Sequence, residues 1–234
     1  MSFDFDGVDD RLALGSPALL DNLSSLTCAL WVLADGYGEG NAGRIFDKFQ
    51  KSFRIDNDDN VDQSFRFSVA CSSGGPARTA FGQSINLNSY NFLAVTWGGG
   101  ISSNSIRLYK NGIESSSYIN ETSGLGAILN DGSSTIDIGN NSGGSRSFDG
   151  RLAHFHIYSR VLDIGEIKQI MNFPGSIRKN LSVYLPMVFR STNSAQDLSG
   201  NRLNATIIGP TQSNEDPPIN GMFTIPRPEL MHSF

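Results

Sequence analysis

Residues 64–71 limit most sharply what this chain can become. Phe65, Phe67, Val69 and Cys71 alternate with Ser64, Arg66, Ser68 and Ala70. A period of two sorts them onto opposite faces of an extended strand, whereas a helix of about 3.6 residues per turn would scatter them around its circumference. The same grammar recurs along the chain. Residues 26–33 and 90–97 are nearly continuous apolar runs, the pattern of strands covered on both faces. Residues 106–110 and 113–118 flank Asn111-Gly112, a pair suited to a type I′ hairpin because both central positions need positive φ. Residues 53–55, 134–138 and 151–158 add further strand signals.

One helix is expected, over about 163–172. Asp163 caps it, Glu166 completes a capping box, Leu162 staples onto Ile167, and Pro174 stops it. Composition agrees with short strands and many turns: 25 glycines, 38% hydrophobic and 18% charged residues in 234. The reading is all-β, an antiparallel two-sheet sandwich with one short helix. Its parts are a sandwich over 1–190, a turn and edge-strand extension over 191–208, and a Pro-rich arm over 209–234. Five of the nine prolines fall in that arm. Its apolar residues Phe223, Ile225, Leu230, Met231 and Phe234 mark it as a docking segment rather than a solvated tail.

The net charge of −5 and the lack of any Lys/Arg run argue against duplex nucleic acid as a partner. No apolar run is long enough for a membrane-spanning helix. Cys28 and Cys71 read as two buried free thiols, not as a disulfide framework. Met1 is followed at once by strand-like residues, so either a leader was removed or the protein matures in the cytoplasm.

Three segments together resemble the laminin G-like, concanavalin A-like lectin-glucanase superfamily. The first is Phe3-Asp4-Phe5-Asp6-Gly7-Val8-Asp9-Asp10, followed by residues 26–32 with Trp31. The second is residues 90–97 with Leu108-Tyr109-Lys110-Asn111-Gly112. The third is Phe148-Asp149-Gly150-Arg151-Leu152, then residues 157–162, then Glu166-Ile167. The resemblance implies a jelly-roll sandwich that often holds one Ca²⁺. It does not imply one function, since the fold hosts lectins, adhesins, enzymes and structural proteins. Residues 181–187 with Asp197-Leu198-Ser199-Gly200-Asn201 look like an element often seen beside these domains, and Pro186 marks an edge strand.

Hydrolases of this fold need two carboxylates flanking the scissile bond, and on a strand these would stand at i and i+4. No such pattern occurs: Glu39, Glu114, Glu121, Glu166, Glu215 and Glu229 are isolated. No G-x-S-x-G elbow is present either. The chain is read as a non-enzyme with no required cofactor. Calcium is the candidate cation, at Asp56, Asp58 and Asn60, where oxygen-bearing residues alternate; the segment is not an EF-hand, because Val61 stands where glycine is needed. His154 and His156 are i, i+2 on one strand and are read as polar surface histidines sharing a face, opposite Ala153, Phe155 and Ile157. Zinc would need a third ligand, and none is evident. The Gly-rich loop that carries Tyr37, Glu39 and Asn41 is the candidate carbohydrate site, with Tyr37 displayed at the rim. Trp31 and Trp97 are read as core.

The first functional expectation is a virion surface protein, a bacteriophage capsid-decoration or tail-associated subunit, that docks on other virion subunits as part of an assembly and also binds glycans. The alternative is a secreted or cell-surface lectin or adhesin that uses calcium to bind polysaccharide.

Overall fold

The computed structural model describes residues 1–48, 51–58, 61–73, 75–82, 84–191 and 193–219, with backbone alone for 51–58, 61–63, 79 and 189–191. In chain order the strands are β1 (Ser2–Asp6), β2 (Arg11–Gly15), β3 (Leu26–Ala34), β4 (Arg44–Lys48), β5 (Lys51–Asp58), β6 (Val61–Val69), β7 (Ala77–Phe81), β8 (Tyr90–Trp97) and β9 (Ile106–Lys110). They continue as β10 (Ile113–Glu114), β11 (Tyr118–Thr122), β12 (Ile136–Ile138), β13 (Asp149–Tyr158), β14 (Leu181–Leu185), β15 (Phe189–Ser191), β16 (Ser194–Ala195), β17 (Ala205–Ile208) and β18 (Thr211–Ser213). The helix α1 spans Ile164–Asn172. Sheet A runs β10-β9-β8-β3-β13-β1-β18, with β14 also on β13; sheet B runs β11-β7-β6-β5-β4-β12-β2-β17-β16-β15.

The main core lies between the sheets and includes Phe3, Leu30, Phe67, Trp97, Ile138 and Phe155. A second, smaller core forms where α1 covers the outside of sheet A, from Trp31, Phe92, Tyr158, Leu162, Ile167 and Ile170. Strand β3 therefore has apolar surroundings on both faces. Cys28, Leu30 and Val32 enter the first core and Ala29 and Trp31 the second, and all nine of its residues are buried. Both tryptophans are core residues, and both cysteines are buried free thiols.

Local chemistry places the connections. Asn111 (φ 51) and Gly112 (φ 74) have the positive φ that the β9–β10 hairpin needs. Asp163 accepts from Glu166 N at 2.9 Å, and Glu166 returns the bond to Asp163 N at 3.1 Å, a complete capping box. Arg160 clamps the same carboxylate through two nitrogens, at 2.7 and 2.6 Å.

The histidine expectation fails. His156 is fully buried and His154 half-buried, both against Tyr184. The cause is a bulge. His154 sits at φ 51, and two residues of β13 oppose one of β3 between Ala153↔Trp31 and His156↔Ala29. Ala153 thereby lands in the second core, on the side of β13 opposite to Phe155 and Ile157. His156 Nε2 accepts from Gly175 N at 3.0 Å, and its ring stacks on Tyr184 with centroids 4.4 Å apart.

The chain after Gly209 also differs from a free arm. Thr211–Ser213 pairs with β1 as an edge strand immediately after Pro210. Ser2 Oγ donates to Glu215 O at 3.0 Å, and the Met1 amino group pairs with Asp216. Ile219 packs against the second core. Phe223, Ile225, Leu230, Met231 and Phe234 lie outside the described residues.

Burial pulls both imidazoles down to a pKa of about 3. Below its ordinary value of about 6.5 the unfolded chain takes up these protons while the folded chain does not. Stability from this source is complete above pH ~6.5 and falls as pH drops toward 3, by up to about 1.4 kcal/mol per pH unit for His156. Melting temperature measured between pH 7 and 4 should fall less steeply in His156→Gln than in the parent; parallel curves would show that another group sets the slope.

Candidate functional site at the loop end of the sandwich

Two copies of Phe-Asp-Gly build one end of the molecule. The first closes β1 and the second opens β13, and the antiparallel register sets Asp6 opposite Asp149. Phe5 and Phe148 point inward and meet edge to face, with centroids 6.1 Å apart. The two aspartates are left at the rim. Gly150 has φ 130 and passes so close to Leu33 O that a Cβ would collide with it. No L-residue with a side chain fits there without moving the β3–β13 ladder.

Acidic groups gather around this pair. Asp6, Asp9 and Asp10 bring their carboxylates within 4.8 Å of one another. Asp6 Oδ1 accepts from Val8 N and Asp10 Oδ2 accepts from Asp6 N, each at 2.9 Å. Burial raises the Asp10 carboxyl above its ordinary value, and Asp6 and Asp9 push the same way against the bond from Asp6 N. Asp149 is raised by burial and by Asp35, Asp4 and Asp6. The nearby cation is Arg151, 3.7 Å from Asp4, 3.4 Å from Asp35 and 3.5 Å from Glu215. Like charges at opposed ladder positions destabilise a sheet. A hard cation with oxygen ligands answers that excess, so the donor set suits Ca²⁺.

The loop that carries Tyr37, Glu39 and Asn41 packs beside this rim. Ser147 and Asn140 tie it down: Glu39 N donates to Ser147 O at 2.9 Å, Ser147 Oγ to Val8 O at 2.7 Å, and Asn140 Nδ2 to Ser147 Oγ at 2.6 Å. Gly38 (φ 70) crosses the Ser147 carbonyl too closely for any side chain. Tyr37, expected at the rim, is half-buried and packs against the main core, while Glu39 and Asn41 remain exposed. Of the calcium candidates, Asp56 and Asp58 lie on β5, register partners of Ser64 and Val61. Their side chains and Asn60 fall outside the described residues. Sequence reasoning quoted the two Phe-Asp-Gly motifs but not their consequence, which appears only when the strands pair.

Another pair of carboxylates lies elsewhere among the described residues. Asp47 and Asp137 are register partners on the outer face of sheet B, both buried. Asp47 lies 3.0 Å from Arg44, and Asp137 lies 3.6 Å from Arg11. A concavity of about 330 Å³ opens at the opposite end of the sandwich, between Asn22–Ser24, Trp97–Gly100 and Ile128–Leu129.

The family model described as concanavalin A-like lectin/glucanases superfamily matches residues 6–168. The chain belongs to this superfamily. Among solved structures, a Bacteroides ovatus ATCC 8483 protein provisionally named as carbohydrate binding is 17% identical, with a TM-score of 0.65 over 93% of this chain and 60% of that one. The chain thus spans less than two thirds of that protein. Domain 4 of the GH43 extracellular arabinanase AbnA from Geobacillus stearothermophilus, solved in complex with arabinotriose, is 17% identical, with a TM-score of 0.50 over 72% of this chain and 75% of that one. At such identities the likeness is one of fold. No curated protein sequence matches.

Calcium should raise the melting temperature of metal-stripped protein, by an amount equivalent to about 2.7 kcal/mol at a hundredfold excess over its dissociation constant. Asp9 is exposed, so Asp9→Asn should cancel the rise without unfolding the chain. A rise that survives Asp9→Asn but not Asp58→Asn would move the site to the β5–β6 hairpin; no rise at all would remove calcium from both.

Proposed function

We propose that this chain is a non-catalytic carbohydrate-binding module. The observation that carries the reading is the superfamily sandwich itself, with a rim of exposed polar side chains at the loop end, one structural neighbour named for binding carbohydrate and another solved in complex with arabinotriose. The non-catalytic part rests on the sequence, in which no two glutamates stand at i and i+4 as a carboxylate pair on one strand would.

A second reading concerns the setting. Ile219 packs against the second core, and the residues Phe223, Ile225, Leu230, Met231 and Phe234 follow it in sequence. A Pro-rich segment with this many apolar residues suits attachment to neighbouring subunits, as on the outside of a bacteriophage particle. The secreted or cell-surface lectin is the alternative setting.

A glycan array probed with labelled full-length protein, with and without EDTA, tests the first reading. Binding to a sugar class with no release of reducing ends supports it. No binding to any glycan overturns it, and release of reducing ends overturns the non-catalytic part. Light scattering of the full chain against residues 1–219 tests the arm. This cut keeps β18, which truncation at Gly209 would destroy. Loss of an assembly supports the subunit setting; identical masses reject self-assembly through the arm.

A further inference from the structure

The three connections at the end of the sandwich away from the Phe-Asp-Gly rim, β2–β3, β8–β9 and β11–β12, enclose the concavity of about 330 Å³. That size lies at the lower end of small-molecule sites, which run from about 300 to about 1,000 Å³, so it suits one small ring rather than a stretch of chain. Leu23, Ile128 and Leu129 give it half-buried aliphatic walls, and the exposed Asn22 and Ser24 give it an amide and a hydroxyl. Trp97 borders it but is 1% exposed and belongs to the main core, and its Nε1 donates to Gly100 O at 3.1 Å. It therefore offers no open ring face. Among the described residues, none that lines the concavity is ionisable. The same connections expose Leu19 and Leu125, so this end presents aliphatic surface where the rim presents carboxylates.

The three connections also hold one another in place. Asn22 N donates to Asp131 Oδ1 at 2.6 Å, and Asp131 N donates to Asn22 Oδ1 at 3.1 Å, which joins β2–β3 to β11–β12. Gly124 N donates to Ile101 O at 2.7 Å and Ser103 N to Ser123 Oγ at 3.3 Å, which joins β8–β9 to β11–β12. Gly99 (φ 87) passes the Ser24 carbonyl so closely that a Cβ would collide with it, which sets β8–β9 against β2–β3. A site with walls fixed in this way loses little freedom when a ligand enters. Asn22 Oδ1 is engaged by Asp131, whereas Asn22 Nδ2 and Ser24 Oγ have no hydrogen-bond partner among the described residues. They remain open to a ligand's hydroxyl or carbonyl oxygens.

The lining selects a chemical class. A carboxylate, sulfate or ammonium group would lose its water here and find no counter-charge. A flat sugar face would find no aromatic ring to stack on. Aliphatic walls beside an amide and a hydroxyl match a neutral ring that carries its own apolar group next to its hydroxyls. We propose that this concavity is a sugar subsite for a neutral residue bearing a methyl group, as a 6-deoxyhexose or an N-acetylhexosamine does. The inference rests on the carbohydrate-binding reading above and adds to it a subsite that needs no metal, at the end remote from Tyr37, Glu39 and Asn41.

The test is a sugar titration of the full-length protein followed by NMR. Of the chain's two tryptophans, Trp97 borders the concavity and Trp31 lies in the second core, so their indole N–H signals report on different places. L-fucose is compared with L-galactose, and N-acetylglucosamine with glucose; each pair differs by the methyl-bearing group. At least one methyl-bearing sugar should shift the Trp97 signal, leave that of Trp31 in place, and bind about fourfold or more tightly than its parent, the worth of one buried methyl group. A gain for L-fucose alone assigns the 6-deoxyhexose, and a gain for N-acetylglucosamine alone the N-acetylhexosamine. EDTA should change neither result. Ser24→Glu places a charge at the exposed mouth and should weaken binding about tenfold at an unchanged melting temperature. Equal affinities within both pairs, a Trp97 signal that never moves while a sugar binds, or loss of binding in EDTA would each overturn the subsite and leave the carbohydrate reading standing. No sugar bound here or on the glycan array would overturn both. The sugar pairs decide the question even if Ser24→Glu fails to fold.

Discussion

The ladder made by β13 organises the rest of sheet A. One edge of this strand is taken by β3. The other is divided, with β1 on residues 149–152 and β14 on residues 155–158. The change of neighbour falls at His154, where the backbone bulges. A regular strand would put alternate residues on the same face throughout. The bulge instead resets the alternation and brings Ala153, His156 and Tyr158 together under the helix while Leu152, Phe155 and Ile157 stay between the sheets. The same strand carries one Phe-Asp-Gly motif to the other, so the core contact and the acidic rim come from one pairing.

Much of this was legible from local pattern. Alternation at 64–71, the doubly apolar run of β3, Asn111-Gly112, and the Asp163–Glu166 box each act within a few residues, and each stands in the structure as read. The features that were not legible need partners far away in sequence. Ala153-His154-Phe155-His156 looks like ordinary alternation, and nothing local marks a histidine for positive φ. The weight of proline after Gly209 masked the three residues that close sheet A beside β1. Asp6 and Asp149 stand far apart in sequence, and each alone is an unremarkable rim aspartate.

Placement explains why composition said so little about ligands. A net charge of −5 does not show that Asp6, Asp9 and Asp10 converge at one rim. Another charged group, Lys48, is buried and serves the framework. Its Nζ donates to Leu20 O at 2.7 Å and lies 2.7 Å from Asp21 and 3.5 Å from Asp131. Breaking such a buried pair by removing one partner is costly because the other charge stays buried. It pins the loops that border the cleft near Trp97, so that end of the molecule is held by electrostatics where the loop end is held by Ser147 and Asn140.

The pairing of β18 with β1 has a mechanical corollary. Ser2 opposes Ser213, so residue 1 and the chain beyond residue 213 emerge at the same end of one short antiparallel ladder. A pull between them would load its hydrogen bonds one after another, like a zipper, rather than all together in shear. Tension transmitted through both ends would peel this edge first and leave the β3–β13 centre of the sheet intact.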